Sequence, residues 1–565
     1  MMDHEDHEEK YEGRLLILIL IIFILILGLM GRICYLGIIQ HDFLIDQSNI
    51  RSVREVSIPA HRGIISDRNG EPLAISVPVA SVWINPKQFR VTEKQINYLS
   101  FLLDMTVESI NEKILMQKKK EFVYLKRSIP IKIANEINSI NIAGLYLEKS
   151  YKRYYPEADA TAHILGFTNI DDHGQEGLEL AFDSWLRGVP GKIKVIKDRL
   201  GNTIATLGII TKPQKGRNLV LSIDRRIQYL AFNEIKNIVT KYHADSGSIV
   251  VLAVNTGEII GMTNYPSYNP DNRSSGVIPI DYFRNRAITD VFEPGSTMKV
   301  FSVANALNSG KYFSNTIIDT NPGILKIENK LVYDDKHKNN GYLTVKEVLI
   351  KSSNIGVAKM TLSLPSNNLL NLLRSVGFGI STHSGFPGEA TGFVPRTLYG
   401  RNFVLATLSF GYSISVTPLQ LALAHLVIAN GGIMKPVTFL KVTKQRIMGE
   451  RIFPERLCMQ IISMLEAATD TGGTGTQAQI AGYRVAGKTG TAKISSPHGG
   501  YYKDRYFSNF VGIAPVSNPQ LVVVVVVKNP KGSYYGGQVA APAFANVMNG
   551  ALRLLNIPFD ENNTN

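Results

Sequence analysis

Three short segments carry side chains that could share one reaction. Ser296-Thr297-Met298-Lys299 places a hydroxyl and an amine three residues apart, a spacing that shares one face of a helix. Ser352-Ser353-Asn354 offers a second hydroxyl and a carboxamide, and Lys488-Thr489-Gly490 a second amine beside a hydroxyl. Together they suit acyl transfer through a serine. An alcohol becomes a good nucleophile when a neighbouring base takes its proton, and Lys299 is a base only when neutral. Burial, the positive end of a helix and a second cation such as Lys488 all favour that form. Ser352 can pass a proton toward a leaving amine, while Asn354 can hold a substrate amide and orient Lys299. Lys488, with the hydroxyls of Thr489 and Thr491, would bind a carboxylate. The backbone N–H groups of Thr491 and Ser296 would form an oxyanion hole. The implied substrate is a peptide whose terminal carboxylate lies close to its scissile amide.

The stretch GYRVAGKTGTAK, residues 482 to 493, also fits the phosphate-cradling pattern G-x-x-x-x-G-K-[ST]. That pattern needs a strand, a flexible loop and then a helix whose N-terminus receives the phosphate. Here Tyr483 to Ala486 read as strand, and GTAKISSPHGG is full of turn formers. The most apolar strand, LVVVVVV, ends in Lys528 rather than in an aspartate. The phosphate reading therefore fails on both sides. Taken singly, the acyl-transfer motifs are weak, since Ser-x-Asn recurs at Ser267-Tyr268-Asn269. Their order and separation carry the argument: 56 residues from Ser296 to Ser352, then 134 from Asn354 to Lys488.

The elements that must position these groups follow from periodicity. DRRIQYLAFNEIKNIVTKYH has helical spacing of apolar residues. SGSIVVLAVNTGEIIGMTN reads as two strands around a turn at Asn255-Thr256-Gly257. Helical and turn-rich stretches fill 290 to 470. YRVAGKTGTAKI, SNFVGIAP and LVVVVVV then read as strands, the last a buried β-branched run, and VAAPAFANVMNGALRLL as a closing helix. Strands, a long helical region and strands again predict one α/β domain over 221–556, its sheet completed from both ends. Residues 50–220 read differently, as short strands and turns such as HRGIISDRNGEPLA, interrupted by a helix at TEKQINYLSFLLD. That half holds no defensible catalytic cluster and reads as a structural or docking module.

Composition excludes other classes. The net charge of +14 is scattered, with no nucleic-acid-binding signature, so no nucleic acid partner is expected. Two cysteines, Cys34 and Cys458, make no framework and no metal spacing. No cofactor and no metal is expected. LLILILIIFILILGLMG, continued past Arg32 by ICYLGII, is long enough to cross a bilayer, and no small-x-small cleavage site follows it. It reads as an uncleaved anchor over 15–39, behind a tail at 1–14 whose Lys10 and Arg14 favour an inside head. A short tail closes the chain at 557–565.

The trio S-x-x-K, S-x-N, K-T-G belongs to penicillin-reactive serine enzymes, and longer runs extend the likeness. RGIISDRNGEPLA, KRYYPEADATAHILGFTN, GQEGLELAFDSWLRGVPG, NRAITDVFEPGSTMK, KSSNIGVAKM, SFGYSISVTPLQLA and AGKTGTAK resemble class B penicillin-binding proteins across residues 15 to 555. Among these the chain is most similar to the division-specific peptidoglycan D,D-transpeptidases of Gram-negative bacteria. The resemblance implies a single transmembrane helix, a mostly-β/α+β pedestal of the dimerisation type, and an α/β, serine β-lactamase-like transpeptidase domain. The latter has a central antiparallel sheet flanked by helices. It implies that Ser296 attacks the D-Ala-D-Ala amide of a stem peptide and passes the acyl group to a diaminopimelate amine. It further implies acylation of Ser296 by β-lactams, and a single-pass protein of the bacterial inner membrane with its catalytic domain in the periplasm. Its implied partners are the bilayer, a membrane glycan polymerase and other division proteins. No E-x-x-L-N element of the kind that activates water in class A β-lactamases is found, so a drug adduct should persist.

Overall fold

The computed structural model describes residues 5–198, 203–273, 278–443 and 449–561; the outer ends of both predicted tails lie outside them. The described chain forms two compact units that interleave in sequence. One comprises Met1–Ala60, Val79–Ser150 and Gly188–Lys215, and the other His61–Pro78, Tyr151–Arg187 and Gly216–Asn565. The stretch 50–220, which reads from sequence as one module, is therefore shared between them.

The first unit begins with a helix, Glu5–Cys34, that runs through a π-helical turn, Tyr35–Ile39, into a second helix, His41–Ser52. Within it, Gly13–Ile39 is 27 residues long with mean hydropathy 3.0 and no buried face, which is long and apolar enough to cross a membrane. A three-stranded antiparallel sheet follows, Val53–Ile58 beside Gly191–Lys197 beside Thr203–Thr211. A separate lobe spans 79–150. There the second half of strand Pro72–Ile84 pairs with Val123–Pro130 and carries the helices Glu93–Leu103, Val107–Met116 and Ile131–Ser139. The first of these starts where predicted, because Thr92 and Gln95 form a reciprocal capping box. Leu99, Leu103 and Ile110 pack against Val82 and Ile84 as its core.

In the second unit a turn at Asn69-Gly70, within the HRGIISDRNGEPLA stretch, is built on Asp67, whose Oδ1 accepts from the backbone N–H of Asn69 (2.8 Å) and Glu71 (2.9 Å). Nearby lies a buried ionic cluster. Arg62 Nε donates to Glu179 Oε2 (2.8 Å) and Arg62 Nη1 to Asp183 Oδ1 (2.6 Å). Arg153 Nε donates to the other Glu179 oxygen (2.6 Å) and Arg153 Nη1 to Ser76 Oγ (3.1 Å). Arg62 and Glu179 are sealed from solvent. Their tertiary pairing explains why such charges survive in a core.

The second unit is built on an antiparallel sheet of five strands: β1 (Ser246–Ala253), β2 (Ile259–Tyr265), β3 (Ala486–Ser495), β4 (Tyr501–Ala514) and β5 (Leu521–Lys528). Their order is β2-β1-β5-β4-β3, so the two ends of the domain meet at the β1–β5 pair. The valine run of β5 is central and buried on both faces. Val522, Val524 and Val526 join one core, with helices α2 (Lys299–Asn308) and α4 (Pro418–Ala429). Val523, Val525 and Val527 join the other, with α1 (Arg225–Lys241) and α5 (Gly536–Leu554). A strand with two buried faces has no reason to alternate polarity, which accounts for the uninterrupted run. Between β2 and β3 the chain is helical, as expected. It includes α3 (Asn354–Leu362) and also short strand pairs, Ile317–Asp319 with Tyr342–Thr344 and Ile324–Ile327 with Lys330–Tyr333, that the periodicity did not reveal.

Removing one member of a buried ion cluster strands the others. Glu179→Gln leaves Arg62 and Arg153 facing a neutral amide, and a loss of about 3–5 kcal/mol is expected. Urea unfolding should show the transition at markedly lower denaturant; an unchanged midpoint would contradict the assigned role.

Candidate active site

Ser296 lies in a 3₁₀ turn, Gly295–Met298, that runs directly into α2 at Lys299. In a 3₁₀ turn residues i and i+3 eclipse one another, so this geometry aligns Ser296 with Lys299. The turn is pressed against the open edge of the sheet. Gly295 has φ +59°, and a methyl group there would lie 2.9 Å from the Thr491 carbonyl oxygen. On its other side Gly411, at φ +87°, could carry no side chain, since a methyl group would lie 2.1 Å from the Gly295 oxygen. This contact gives the SFGYS run its glycine. Asn509 Nδ2 donates to Pro294 O (3.2 Å) and ties the turn to β4.

Ser352 occupies the loop before α3, with φ +57°, a conformation that costs a non-glycine residue about 1–2 kcal/mol. It turns both of its oxygens onto one amine: Lys299 Nζ donates to Ser352 O (2.5 Å) and Ser352 Oγ (3.0 Å). Lys488 Nζ, rising from β3, reaches the same hydroxyl at 3.1 Å. The two amines are each 1% exposed. Burial, then the nearby Lys488 charge, drive the Lys299 amine well below the usual lysine range, against weaker opposing pulls from Asp334 and Asp335. Burial brings Lys488 down to about 7.

Of the sequence-derived residues, Ser352, Lys299 and Lys488 thus meet at one oxygen, beside the turn that carries Ser296. Asn354 stands at the start of α3, but its Nδ2 donates to Tyr333 O (2.7 Å). No hydrogen bond from Asn354 to Lys299 is among those described, and Ser352 holds that amine. Strand alternation sends Thr489 and Thr491 to the opposite face from Lys488. Thr489 Oγ1 meets Thr474 Oγ1 (3.0 Å), and Thr491 Oγ1 accepts from Gly536 N–H (3.1 Å). Gly490 lies over Asn509, where a methyl group would fall 2.3 Å from Oδ1. The backbone of Thr491 faces the open edge. Its carbonyl points at Gly295, and two residues on the Lys493 N–H leaves the sheet to donate to Tyr412 Oη (3.3 Å). Since a strand residue aims its N–H and C=O to the same side, the Thr491 N–H is available there.

Several supporting residues had no sequence signal. Asp334, buried, accepts from Ser353 Oγ (2.8 Å), Ile355 N (3.0 Å) and Asn340 Nδ2 (2.6 Å), and so pins the Ser352 loop. Glu293, three residues before Ser296, is another. Its Oε1 accepts from Ser413 N (2.8 Å) and Tyr501 Oη (3.1 Å), and burial raises its pKa.

Residues 247–549 match the penicillin-binding protein transpeptidase domain and residues 57–221 the penicillin-binding protein dimerisation domain. The chain is 40% identical to the peptidoglycan D,D-transpeptidase FtsI of Escherichia coli K12, covering 98% of this chain and 94% of that protein. It is 39% identical to a probable peptidoglycan D,D-transpeptidase, PbpC, of Pseudomonas aeruginosa, over 97% and 96% of the two chains. This chain is a class B penicillin-binding protein. Among solved structures it resembles the transpeptidase domain of Burkholderia pseudomallei penicillin-binding protein 3, with 38% identity, TM-score 0.55 and coverage of 60% of this chain and 98% of that one. It also resembles Mycobacterium tuberculosis penicillin-binding protein 3 complexed with aztreonam, with 25% identity, TM-score 0.68 and coverage of 90% and 98%.

In this penicillin-binding protein the buried amine of Lys299 sets a sign for stability. The unfolded lysine binds a proton up to about pH 10.4, whereas the folded one gives it up earlier. Folding is therefore opposed by protonation at neutral pH, and that penalty fades as pH rises toward the unfolded value. Lys299→Met is expected to melt no lower than the parent at pH 7 and to lose any advantage near pH 10. Melting curves at both pH values check this; a lower melting temperature at pH 7 would mean that the amine stabilises the fold.

Proposed function

We propose that this chain is a serine-type peptidoglycan D,D-transpeptidase of the division septum. The observation that carries the reading is the Ser352 hydroxyl shared by two buried lysines beside the turn of Ser296. Ser296 Oγ attacks the carbonyl between the two terminal D-alanines, and Lys299, neutral, takes its proton. The oxyanion that forms is held by the N–H groups of Ser296 and Thr491. Collapse breaks the C–N bond, and the proton travels from Lys299 through Ser352 to the leaving D-alanine amine. The diaminopimelate amine of a second strand then attacks the acyl-enzyme, gives a proton to Lys299 and expels Ser296, which recovers its proton.

The donor carboxylate binds at the open edge of β3, where Lys488 from one face and Thr489 and Thr491 from the other can converge. Gly490 allows the strand to lie close over Asn509, and Asn354 contacts the donor amide. β-Lactams present the same carbonyl and carboxylate and acylate Ser296. The same reading divides the chain into a tail (1–14), an anchor (15–39), a pedestal (50–220) and a transpeptidase domain (221–556). The head lies inside the inner membrane and the enzyme in the periplasm, working with a glycan polymerase and other division proteins.

Intact-protein mass spectrometry with benzylpenicillin should give one long-lived adduct, absent from Ser296→Ala; an adduct on that variant would refute the assignment. The rate constant for acylation should also report both amines. It rises with pH as Lys299 loses its proton, and falls above about 7 as Lys488 loses the charge that holds the carboxylate. Lys488→Arg, which keeps its charge, should carry that fall to higher pH. An alkaline limb that stays in place would dissociate it from Lys488.

A further inference from the structure

Away from the lysine pair, one buried cation is short of acceptors. Arg286 opens a short helix, Arg286–Thr289, and its side chain is 11% exposed. A guanidinium carries five N–H donors. No hydrogen bond from them is among those described, and Nε is buried without an acceptor. The one ion pair described for it, Nη1 with Asp290 Oδ2, spans 3.7 Å, well beyond the length of about 2.8 Å of a charge-assisted hydrogen bond. Asp290 is committed elsewhere, since its Oδ1 accepts from Arg284 Nη2 (2.5 Å) and Thr289 Oγ1 (2.9 Å). The guanidinium lines a cavity of about 60 Å³, room for roughly four waters or one small oxyanion. The end of the sheet supplies the facing wall. Lys528 closes β5, opposite Ser246 of β1 on one side and Phe507 of β4 on the other. Opposed residues share a face, and all three line the same cavity. Ser246 is 6% exposed, and neither its hydroxyl nor Lys528 Nζ makes a hydrogen bond among those described. Asp245, the carboxylate next to Ser246, is held by Asn529 Nδ2, at 3.1 Å from each oxygen. Two cations and a hydroxyl therefore meet in this cavity, against one carboxylate that Arg284 already shares.

We propose that this cavity is a binding site for a small oxyanion, a phosphate or a carboxylate, held by Arg286, Lys528 and Ser246. A buried charge without hydrogen-bond partners is costly, and an anion seated here removes that cost while accepting from both cations. The site shares no residue with the Ser352 cluster or the edge of β3, and it does not depend on the reading of Ser296 as the nucleophile. It has a mechanical consequence for that turn. Phe292 also lines the cavity. Its ring centre lies 5.3 Å from that of Phe507, and its N–H and C=O both pair with Val416, at 3.0 Å each. Phe292 stands four residues before Ser296. A bound anion thus fastens the segment that enters the Ser296 turn to the ends of β1 and β5.

The test is equilibrium dialysis of the full chain in detergent against [³²P]phosphate, [¹⁴C]acetate and D-[¹⁴C]alanine. Each is measured with and without prior benzylpenicillin, which fills the cleft and removes any binding at Lys488. At least one probe should bind at one per chain, half-saturating near about 1 mM, and equally well after benzylpenicillin. Phosphate binding identifies an inorganic anion as the ligand, and acetate or D-alanine binding alone identifies a carboxylate. Lys528→Gln should weaken that binding about tenfold and Arg286→Gln should abolish it, with both variants melting as cooperatively as the parent. If Arg286→Gln does not fold, Lys528→Gln decides alone. The proposal is overturned if no probe binds stoichiometrically at ten times that concentration, if binding disappears once benzylpenicillin is added, or if Lys528→Gln binds as the parent does.

Discussion

Two amines and one hydroxyl form the centre of this molecule. Lys299 and Lys488 both donate to Ser352 Oγ, at 3.0 and 3.1 Å, so the nitrogens lie within roughly 6 Å of one another in a site closed to water. At that separation two full charges repel by about 3 kcal/mol with an effective dielectric near 20, before any cost of removing each from water. No carboxylate bonds directly to either amine among the described contacts; Asp334 is spent on the loop beneath. The inexpensive state is one neutral amine and one cation. Burial and then its neighbour's charge both draw Lys299 down, which favours it for the neutral role. With Lys299 in the proposed role of base, catalysis and stability are opposed at the same atoms, a common pattern where a fold must hold a reactive group.

The rest of the fold serves to bring these atoms together from distant parts of the chain. Lys299 comes from the start of a buried helix, Ser352 from a loop held in a left-handed conformation, and Lys488 from an edge strand. Edge position matters, because a strand paired on both sides would have no N–H to offer a substrate. β3 is terminal in the sheet, and its free side is met by the Gly295 turn and by Tyr412. Close backbone approach at Gly295 and Gly411 sets the distance between the Ser296 turn and the strand. The valine-rich β5, buried on both faces, supplies the rigidity against which helix and edge are aligned.

Much of this was legible in the sequence. Motif order and spacing identified Ser296, Lys299, Ser352 and Lys488, because each motif is short and its internal geometry is local. The hairpin at Asn255-Thr256-Gly257, the buried valine strand and the flanking helices were legible for the same reason. Asp334 and Asn509 were not, since each acts through partners 19 to 215 residues away and sits in no periodic pattern. The strand pairs between 317 and 344 are three or four residues long, too short for a period of two to register. The ion cluster joins Arg62 to Glu179 across 117 residues and draws both into the unit that holds the catalytic sheet. A reading by consecutive segments assigns them to the pedestal.

The central claim is that Lys299 rests neutral beside a titrating Lys488. Lysine ε-carbon NMR of the full chain labelled with [ε-¹³C]lysine measures it directly, with Lys299→Met and Lys488→Met assigning the two buried resonances. The account predicts a Lys299 signal at the neutral-amine shift at pH 7 and a Lys488 signal that titrates near neutrality. Two ammonium signals that both persist to about pH 10, the ordinary lysine range, would contradict it.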